Sequence, residues 1–357
     1  MKDWRLQQNL SIDLNDIKLV SSIILIPIMY NNMEPTFILS ILIGLFFLEI
    51  FYFKIADHFN IIDKPNARSS HQAITLRGGG IIFTLAAIIF FFAFGFKYPY
   101  FIFGLFLISL ISFLDDIFTL NNKVRLSIHL LSVILMFYQW QLFSLSWYWI
   151  PVALIFVIGT INAYNFMDGI NGITGGYSLL AIATLYYIND QIISFTSSDL
   201  LITVGLSLLV FNFFNFREKA RCFAGDVGSV SIAFIIVFLI GQLVIQTKNI
   251  NYILLLLFYG IDAVTTIVFR VIRKENIFEA HRSHFYQFLS NEKKWPHLVV
   301  VSIYILIQLI INIVLILFVG KDSLTALFLI VTLGIIFLVV RFKTEGKERL
   351  IKSVTNE

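Results

Sequence analysis

A polar, glycine-rich segment, residues 162–176, interrupts a chain that is otherwise strongly apolar. Asn162, Asn165 and Asp168 recur at every third position, which places their side chains near one face of a helix end. Gly169 follows directly and indicates a turn where a ligand can approach the backbone closely. Polar and ionisable groups at the depth of a bilayer are costly, so they usually mark a functional site.

Four further polar segments separate the apolar runs. They are Asp63…Arg68-Ser69-Ser70-His71 with Arg77-Gly78-Gly79-Gly80, then Asp115-Asp116 with Lys123 and Arg125, then Asn215 with Phe223-Ala224-Gly225-Asp226-Val227-Gly228-Ser229, and finally His281-Arg282-Ser283-His284. Carboxylates from separate segments, without cysteine ligands, suit a hard cation such as Mg²⁺ or Mn²⁺. Basic side chains beside glycine-rich turns suit phosphate oxygens. Together these types predict phosphoryl transfer on a diphosphate.

Each segment alone also has a structural explanation. An acidic pair such as Asp115-Asp116 is often a solvated helix end, and a Gly-Asp-x-Gly-Ser sequence is often only a turn. The histidines at 281 and 284 share a helix face without necessarily binding anything. Asp262 lies within an apolar run, where we expect it either to pack against Arg270 or Arg273 or to belong to the site. The unpartnered histidines are interpreted as structural: His58, His129 and His297.

The composition predicts an all-α polytopic membrane protein. Hydrophobic residues make up 58% of the chain and charged residues 13%, and the mean hydropathy is +0.86. That much apolar surface exceeds what a soluble core uses. Runs suited to a bilayer predict about eleven transmembrane helices, at 36–53, 78–96, 100–114, 124–140, 147–161, 172–188, 199–216, 229–246, 252–270, 297–319 and 322–340.

The basic residues predict the orientation of these helices. With alternating spans, 20 of the 26 Lys and Arg fall in one set of loops, which is therefore cytoplasmic. The N-terminus then lies outside, the C-terminus inside, and every polar segment on the cytoplasmic face. We expect an interfacial N-terminal extension at 1–35, a transmembrane domain at 36–341 and a cytoplasmic tail at 342–357. The net charge of +4 follows from this topology and does not indicate a nucleic-acid partner.

The ordered motifs resemble those of the polyprenyl-phosphate N-acetylhexosamine-1-phosphate transferases, the WecA/MraY superfamily or glycosyltransferase family 4. The resemblance runs from about residue 36 to 290 and covers all five polar segments. It implies an enzyme of the bacterial inner membrane that transfers an N-acetylated sugar 1-phosphate from a UDP-sugar to undecaprenyl phosphate and releases UMP. The partners implied are these two substrates and membrane lipids, with a homodimer as one expected assembly.

The resemblance also implies residue roles. The catalytic residues would be Asp115, Asp116, Asp168, His281 and His284. The ligands of Mg²⁺ (or Mn²⁺) would be Asp226, Asp168 and Asp115, and either Asp115 or Asp116 would act as a base or position the metal. The substrate-binding residues would be Asn162, Asn165, Asn171, Asn215, Phe223, Lys123, Arg282, Arg68 and His71. Within these sets, Phe223 would stack on uracil, while Lys123, Arg282 and the histidines would neutralise the diphosphate.

Two departures from the family pattern indicate a branch. Many relatives have Asp-Gly-x-Asp-Gly in the polar segment, where this chain has Asn171. An amide can still hydrogen-bond a uracil edge, but it supplies no charge. The sequence His-Arg-Ser-His-Phe-Tyr-Gln from residue 281 also differs from the histidine-rich forms. Both features resemble the O-antigen-initiating branch of lipopolysaccharide synthesis, with donors such as UDP-GlcNAc, UDP-FucNAc or UDP-QuiNAc.

The alternative is a transporter or flippase of lipid-linked or nucleotide sugars. Such a protein would place charges near the middle of the membrane and tend to show repeats with broken helices. Here the charges lie at the ends of the predicted helices and no repeat is evident. A family member that has lost catalysis is the third reading, and the presence of all four aspartates, at 115, 116, 168 and 226, argues against it.

Overall fold

A computed structural model describes residues 34–63, 74–118, 120–276 and 281–352. Two of the predicted substrate-binding residues, Arg68 and His71, lie outside the described residues, as does most of the N-terminal extension.

Every predicted apolar run is helical, so the all-α prediction is confirmed. The helices are α1 (Pro35–His58), α2 (Ile81–Ala93), α3 (Pro99–Ile117), α4 (Asn122–Gln139), α5 (Trp149–Met167), α6 (Ile173–Tyr187), α7 (Ser198–Asn215), α8 (Gly225–Thr247), α9 (Leu257–Ile272), α10 (Phe285–Gln287), α11 (His297–Val314), α12 (Ser323–Glu345) and α13 (Lys347–Ile351). A 3₁₀ turn at Ile250–Leu256 precedes α9, and wider π turns follow α6, α10 and α11 at Ile188–Ile192, Phe288–Glu292 and Leu315–Val319.

Within the described part of the chain, eight helices are long and apolar enough to cross a membrane: α1, α3, α5, α7, α8, α9 and α11 with their adjoining turns, and α12. The others in the predicted set fall short for two reasons. Helices α2 and α6 have 13 and 15 residues, fewer than the roughly 20 that a bilayer core requires. Helix α4 opens with the polar side chains of Asn122, Lys123 and Arg125. A count of eleven crossings and the orientation stay predictions.

Helix α8 lies at the centre of the molecule. Of its most apolar stretch, 78% is buried, and it packs against α2, α3, α5 and α6. A helix that is apolar on every side belongs inside a protein or a membrane. The ring centroids of Phe101 and Phe238 lie 3.8 Å apart in a stacked pair, and the indole of Trp140 donates to the Phe238 carbonyl at 3.2 Å. These contacts hold the C-terminal half of α8 against α3 and α4, and Asp226 lies at the opposite, N-terminal end of the helix.

A two-stranded sheet brings distant segments to that end of α8. Strands β1 (Ile62–Asp63) and β2 (Thr75–Leu76) pair antiparallel. The amide of Phe223 then donates to the Leu76 carbonyl at 2.8 Å, and the amide of Gly79 donates to the Phe223 carbonyl at 2.9 Å. The glycine motif at residues 77–80 is therefore joined by backbone hydrogen bonds to the segment that precedes α8.

A contact between two glycines sets the spacing of α2 and α8. A Cβ added to Gly80 would lie 2.2 Å from the Gly228 Cα, which no side chain tolerates. The two helices consequently begin with their backbones in direct contact. The amide-rich ends of both helices point into the same region, which favours anionic groups there.

Candidate active site

Asp116, at the end of α3, binds the first turn of α8. Its Oδ1 accepts a hydrogen bond from the Asp226 amide and its Oδ2 from the Val227 amide, both at 3.0 Å. The side chain is buried. A carboxylate at this position satisfies two of the free amides of a helix start and interacts favourably with its dipole. Asp116 therefore fixes α3 to α8 and sets the position of Asp226.

Arg77 joins the two carboxylates. Its Nε lies 2.7 Å from Asp116 Oδ1 and its Nη2 lies 3.3 Å from Asp226 Oδ1. The Arg77 side chain is 34% exposed and that of Asp226 26%, so this pair reaches the surface of the site. The sequence placed Arg77 in a glycine motif, but nothing in the spacing indicated that its partners lie in α3 and α8.

The neighbouring carboxylate, Asp115, has different partners. It forms an ion pair with Arg125 at the start of α4 and accepts a hydrogen bond from the Leu120 amide at 3.2 Å. Two adjacent acids thus serve two functions: Asp116 fixes α8, and Asp115 fixes the turn between α3 and α4. Lys123, also predicted to bind phosphate, is exposed at the start of α4.

The polar segment that follows α5 lies against α8. Asn165 Oδ1 accepts a hydrogen bond from Ser229 Oγ at 2.9 Å, and Asp168 Oδ1 accepts one from Thr174 Oγ1 at 2.7 Å. Asn162, one turn earlier on α5, is exposed. Burial raises the pKa of Asp168 to about 7, and the nearby charges of Asp226 and Asp116 add to this effect. The structure therefore brings Asp116, Asp168 and Asp226 within electrostatic reach of one another.

These carboxylates suit a hard cation by their chemistry. Among the described residues, no three His, Cys, Asp or Glu side chains form a group that could hold a metal ion, and Asp115 pairs with Arg125 instead. Mg²⁺ is commonly held by one or two carboxylates together with substrate phosphates. Asp168 and Asp226 fit that pattern, because the three carboxylates of Asp116, Asp168 and Asp226 outnumber the one guanidinium, that of Arg77, with which they cluster. Ligation by Asp115 stays a prediction, and it would require Asp115 to exchange its contact with Arg125 for the cation.

Asn171 was predicted to bind substrate, but its amide group is used within the protein. Its Nδ2 donates to the carbonyl oxygens of Arg217 at 2.9 Å and Glu218 at 3.0 Å, and only 5% of the residue is exposed. The amide of its own backbone points to Nδ1 of His297 at 3.5 Å. His297, interpreted from the sequence as structural, thus borders the polar segment. Asn171 therefore stabilises the start of the loop between α7 and α8.

Asn215 has the same kind of role. Its Oδ1 accepts a hydrogen bond from the Gly172 amide and its Nδ2 donates to the Cys222 carbonyl, both at 2.8 Å. Gly172 has a φ of +85°, and a Cβ there would lie 2.6 Å from the Phe216 ring. Asn215 therefore connects the polar segment to the loop between α7 and α8 and closes that loop onto Cys222. Phe223, the predicted uracil-stacking residue, follows this loop and is half-buried.

The histidine segment, residues 281–284, packs against the end of α5. The rings of His281 and His284 lie 5.0 Å apart, and the His281 ring lies 5.8 Å from that of Phe166. Burial, followed by the nearby His284 and Arg270, lowers the pKa of His281 to about 3. His281 is therefore neutral near pH 7, so the positive charge predicted for it must come from arginines such as Arg282, which is half-buried beside it.

The prediction that Asp262 packs against Arg270 or Arg273 is wrong. Both arginines pair with Glu275, at 3.0 Å and 2.5 Å. The carboxylate of Asp262 instead accepts hydrogen bonds from the Tyr304 hydroxyl at 2.7 Å and the Phe285 amide at 3.0 Å. Asp262 thereby supports the histidine segment from below, a role that only the fold reveals.

Comparison with known proteins gives the family context of this arrangement. The sequence model of glycosyl transferase family 4 matches residues 98–244, which include Asp115, Asp116, Asp168 and Asp226. Over 274 residues the chain is 26% identical to a probable undecaprenyl-phosphate N-acetylglucosaminyl 1-phosphate transferase of Bacillus subtilis, covering 70% of this chain and 74% of that protein.

Two further relatives differ from each other in the activity that their names give. Over 306 residues the chain is 26% identical to a phospho-N-acetylmuramoyl-pentapeptide-transferase of Thermotoga neapolitana, covering 78% of this chain and 96% of that protein. Over 225 residues it is 29% identical to an undecaprenyl-phosphate alpha-N-acetylglucosaminyl 1-phosphate transferase of Escherichia coli, covering 56% of this chain and 60% of that protein. The resemblance drawn from the motifs is confirmed at the level of the superfamily.

Proposed function

We propose that this chain, which resembles the polyprenyl-phosphate N-acetylhexosamine-1-phosphate transferase superfamily, transfers a sugar 1-phosphate from a UDP-sugar to undecaprenyl phosphate. The observation that carries the proposal is the convergence of Asp116, Asp168 and Asp226 with Arg77 at the start of α8. Such a cluster can hold a cation and a diphosphate together at the end of a bundle of apolar helices. The names of the relatives support undecaprenyl phosphate as the acceptor and an N-acetylglucosaminyl 1-phosphate as the transferred group.

In the reaction an oxygen of the lipid phosphate attacks the β-phosphorus of the UDP-sugar. The bond between that phosphorus and the oxygen bridging to the α-phosphate breaks, and UMP leaves with that oxygen. The second pKa of a phosphate monoester is about 6, so the nucleophile is already mostly ionised at neutral pH. The main obstacle is the repulsion between two anions, which the guanidinium of Arg77 reduces.

Asp116 acts by position in this scheme. Its oxygens are occupied by two backbone amides and by Arg77, so it is poorly placed to take a proton from a substrate. We expect Asp116→Asn to lose activity at every pH, because an amide group cannot accept both amide hydrogens and pair with Arg77. Activity that returned at high pH, with unchanged affinity for the cation, would instead assign Asp116 as a general base.

The cation is Mg²⁺ or Mn²⁺ in this proposal, held by Asp226 and Asp168. When bound it would supply positive charge to the diphosphate oxygens. The donor is an N-acetylated UDP-sugar such as UDP-GlcNAc, UDP-FucNAc or UDP-QuiNAc, and the product initiates an O-antigen or a related surface polysaccharide. The reaction takes place at the cytoplasmic face of the bacterial inner membrane, which the distribution of Lys and Arg supports.

A direct assay tests the proposal. Membranes containing the protein are incubated with undecaprenyl phosphate, Mg²⁺ and a panel of UDP-sugars, and the release of UMP is followed. We expect release with at least one N-acetylated sugar and none when the lipid phosphate is omitted. If no sugar supports release, the transporter or flippase alternative gains ground, and uptake of labelled UDP-sugar into vesicles would then decide in its favour.

A further inference from the structure

Arg341 is a buried cation on a helix that otherwise faces outward. Only 11% of the most apolar stretch of α12 is buried, the smallest share among the eight candidate spans of the described residues. Arg341 itself is 1% exposed. Burying a guanidinium is costly unless its donors are satisfied. An apolar side chain would pack α12 against α9 without that cost, so the contacts of Arg341 need a separate explanation.

The contacts of Arg341 converge on the histidine segment. Its Nη2 donates to the carbonyl of Ser283 at 2.9 Å, between Arg282 and His284. Its Nη1 donates to Thr266 Oγ1 of α9 at 3.0 Å, and its Nε forms an ion pair with Glu345 one turn further on. The guanidinium thus connects the backbone of the histidine segment to two helices.

Asp262 holds the other side of the same segment. It accepts the Phe285 amide at 3.0 Å, and its Oδ1 lies 3.5 Å from His284 Nδ1 and 4.0 Å from Arg341 Nη1. One buried ion pair therefore reaches the carbonyl of Ser283 and the amide of Phe285. The residue between them, His284, has little freedom to move.

The C-terminal end of the described chain adds a third contact. Arg273 donates through Nη2 to Ser283 Oγ at 3.3 Å, and through Nη1 to the carbonyls of Arg349 at 3.2 Å and Leu350 at 3.3 Å. Residues 342–351, predicted as part of a cytoplasmic tail, thus continue α12 and return through α13 to the histidine segment. None of these supporting residues belongs to the motifs.

We propose that Arg341 and Asp262 form a clamp that positions Arg282 and His284 for the transfer reaction. The inference rests on the proposed function, since it assigns Arg282 to the diphosphate, whereas His284 is 1% exposed and faces Asp262. Arg341 touches neither substrate in this scheme and is a positioning residue. Its effect is to hold the segment at the end of α5, where the Tyr286 hydroxyl also donates to the Phe166 carbonyl at 3.0 Å.

The first test compares Arg341→Ala and Arg341→Lys with Lys343→Met, a matched control that removes an exposed charge from the same helix. We expect kcat to fall on the order of 100-fold in Arg341→Ala, the size expected for a catalytic group displaced by about 1 Å, with little change in KM for undecaprenyl phosphate. Arg341→Lys should retain part of the activity, and added guanidinium ion should partly restore Arg341→Ala. Equal kcat in Arg341→Ala and wild type would overturn the proposal.

The second test does not depend on activity. Hydrogen exchange of the peptide covering residues 281–290 should accelerate in Arg341→Lys and Arg341→Ala, while exchange of residues 165–176 stays as in wild type. Unchanged exchange at 281–290 would refute the clamp even if activity fell. If none of the UDP-sugars tested supports UMP release by the wild type, the proposed function fails. The exchange measurement still decides whether Arg341 fixes this segment. Should Arg341→Ala fail to fold, Arg341→Lys carries both measurements.

Discussion

Two clusters in this molecule place an arginine between two acids, and they differ in how open they are. In the first, Arg77 lies between Asp116 and Asp226, and the side chains of Arg77 and Asp226 remain 34% and 26% exposed. In the second, Arg341 lies between Asp262 and Glu345, and all three side chains are at most 1% exposed. The same residue types thus occur in an open and in a closed arrangement.

The difference separates binding from positioning. The open cluster has an excess of carboxylates that are accessible from the surface, so it can exchange protein contacts for a cation and a phosphate. The closed cluster uses its donors and acceptors on threonine, tyrosine and backbone groups, and it has nothing left to offer a ligand. Losing an acid should therefore reduce activity with little loss of stability in the first cluster, and reduce both stability and activity in the second.

The largest effect is expected from Asp226→Ala in the open cluster. Removing a group that holds charge at the reacting phosphate should lower kcat by about 10²–10³-fold and weaken the dependence on Mg²⁺, with the thermal unfolding temperature nearly unchanged. The measurement is UMP release against Mg²⁺ concentration. Asp190→Asn, an exposed acid distant in sequence from the motifs, is the control, and an active variant that still responds to Mg²⁺ would contradict the assignment.

Asp262→Ala should reduce stability as well as activity. Breaking a buried ion pair leaves Arg341 and His284 without their acid, which costs about 3–5 kcal/mol of stability. The measurement is thermal unfolding in detergent, compared with Asp226→Ala. If both variants unfold at the same temperature as wild type, the distinction between an open and a closed cluster has no energetic basis.

Asn171→Asp tests whether the side chain of Asn171 stabilises the loop between α7 and α8 and does not bind substrate. The new carboxylate would face the carbonyls of Arg217 and Glu218, and the lost donor should cost about 1–3 kcal/mol. Asn162→Asp makes the same change on exposed surface nearby and should be almost neutral. Unfolding temperatures check this expectation. Equal effects at the two positions would show that Asn171 does not support the loop.

The smallest effect concerns pH. Because the pKa of His281 is lowered to about 3 from a usual value near 6.5, the folded protein binds fewer protons than the unfolded protein between those values. The contribution of His281 to stability should then fall as the pH drops below about 6.5, by about 1 kcal/mol at pH 5 for a half-buried group. The raised pKa of Asp168 acts in the opposite direction, so the effect is measured as the difference between wild type and His281→Gln. His281→Gln should lose this sensitivity, whereas the exposed His58→Gln should keep it. Unfolding temperatures measured at pH 7 and pH 5 distinguish the two.

The fold could be predicted well from the sequence because apolar runs define helices by themselves. Each predicted run became a helix, although α5 continues past residue 161 to include Asn162 and Asn165. The burial of individual helices was not predictable. Helices α8 and α12 have mean hydropathies of 2.5 and 2.8, yet 78% of one and 11% of the other is buried. Composition gives the affinity of a helix for an apolar environment, not whether that environment is lipid or protein.

The site was predictable in its members more than in their contacts. Motif spacing identified Asp116, Asp168 and Asp226, but it assigned Asn171 to substrate when its partners are two backbone carbonyls. Because every residue has a backbone carbonyl, residue types do not indicate which carbonyls a side chain will bind. Asp262 and Arg341 were missed as a pair for a related reason. They are far apart in the chain and belong to no motif, so only their packing in three dimensions reveals the connection.

Arg341 also gives the molecule an order of assembly. A chain is made from its N-terminus, so the ribosome completes the carboxylate cluster and the histidine segment before it reaches α12. Until that last long helix is inserted, the Ser283 carbonyl lacks its guanidinium donor and Asp262 its nearby cation. A chain shortened before α12 would carry every motif residue and still lack the contact that fixes His284. Catalytic competence would then appear late in biosynthesis, only after membrane insertion is nearly complete.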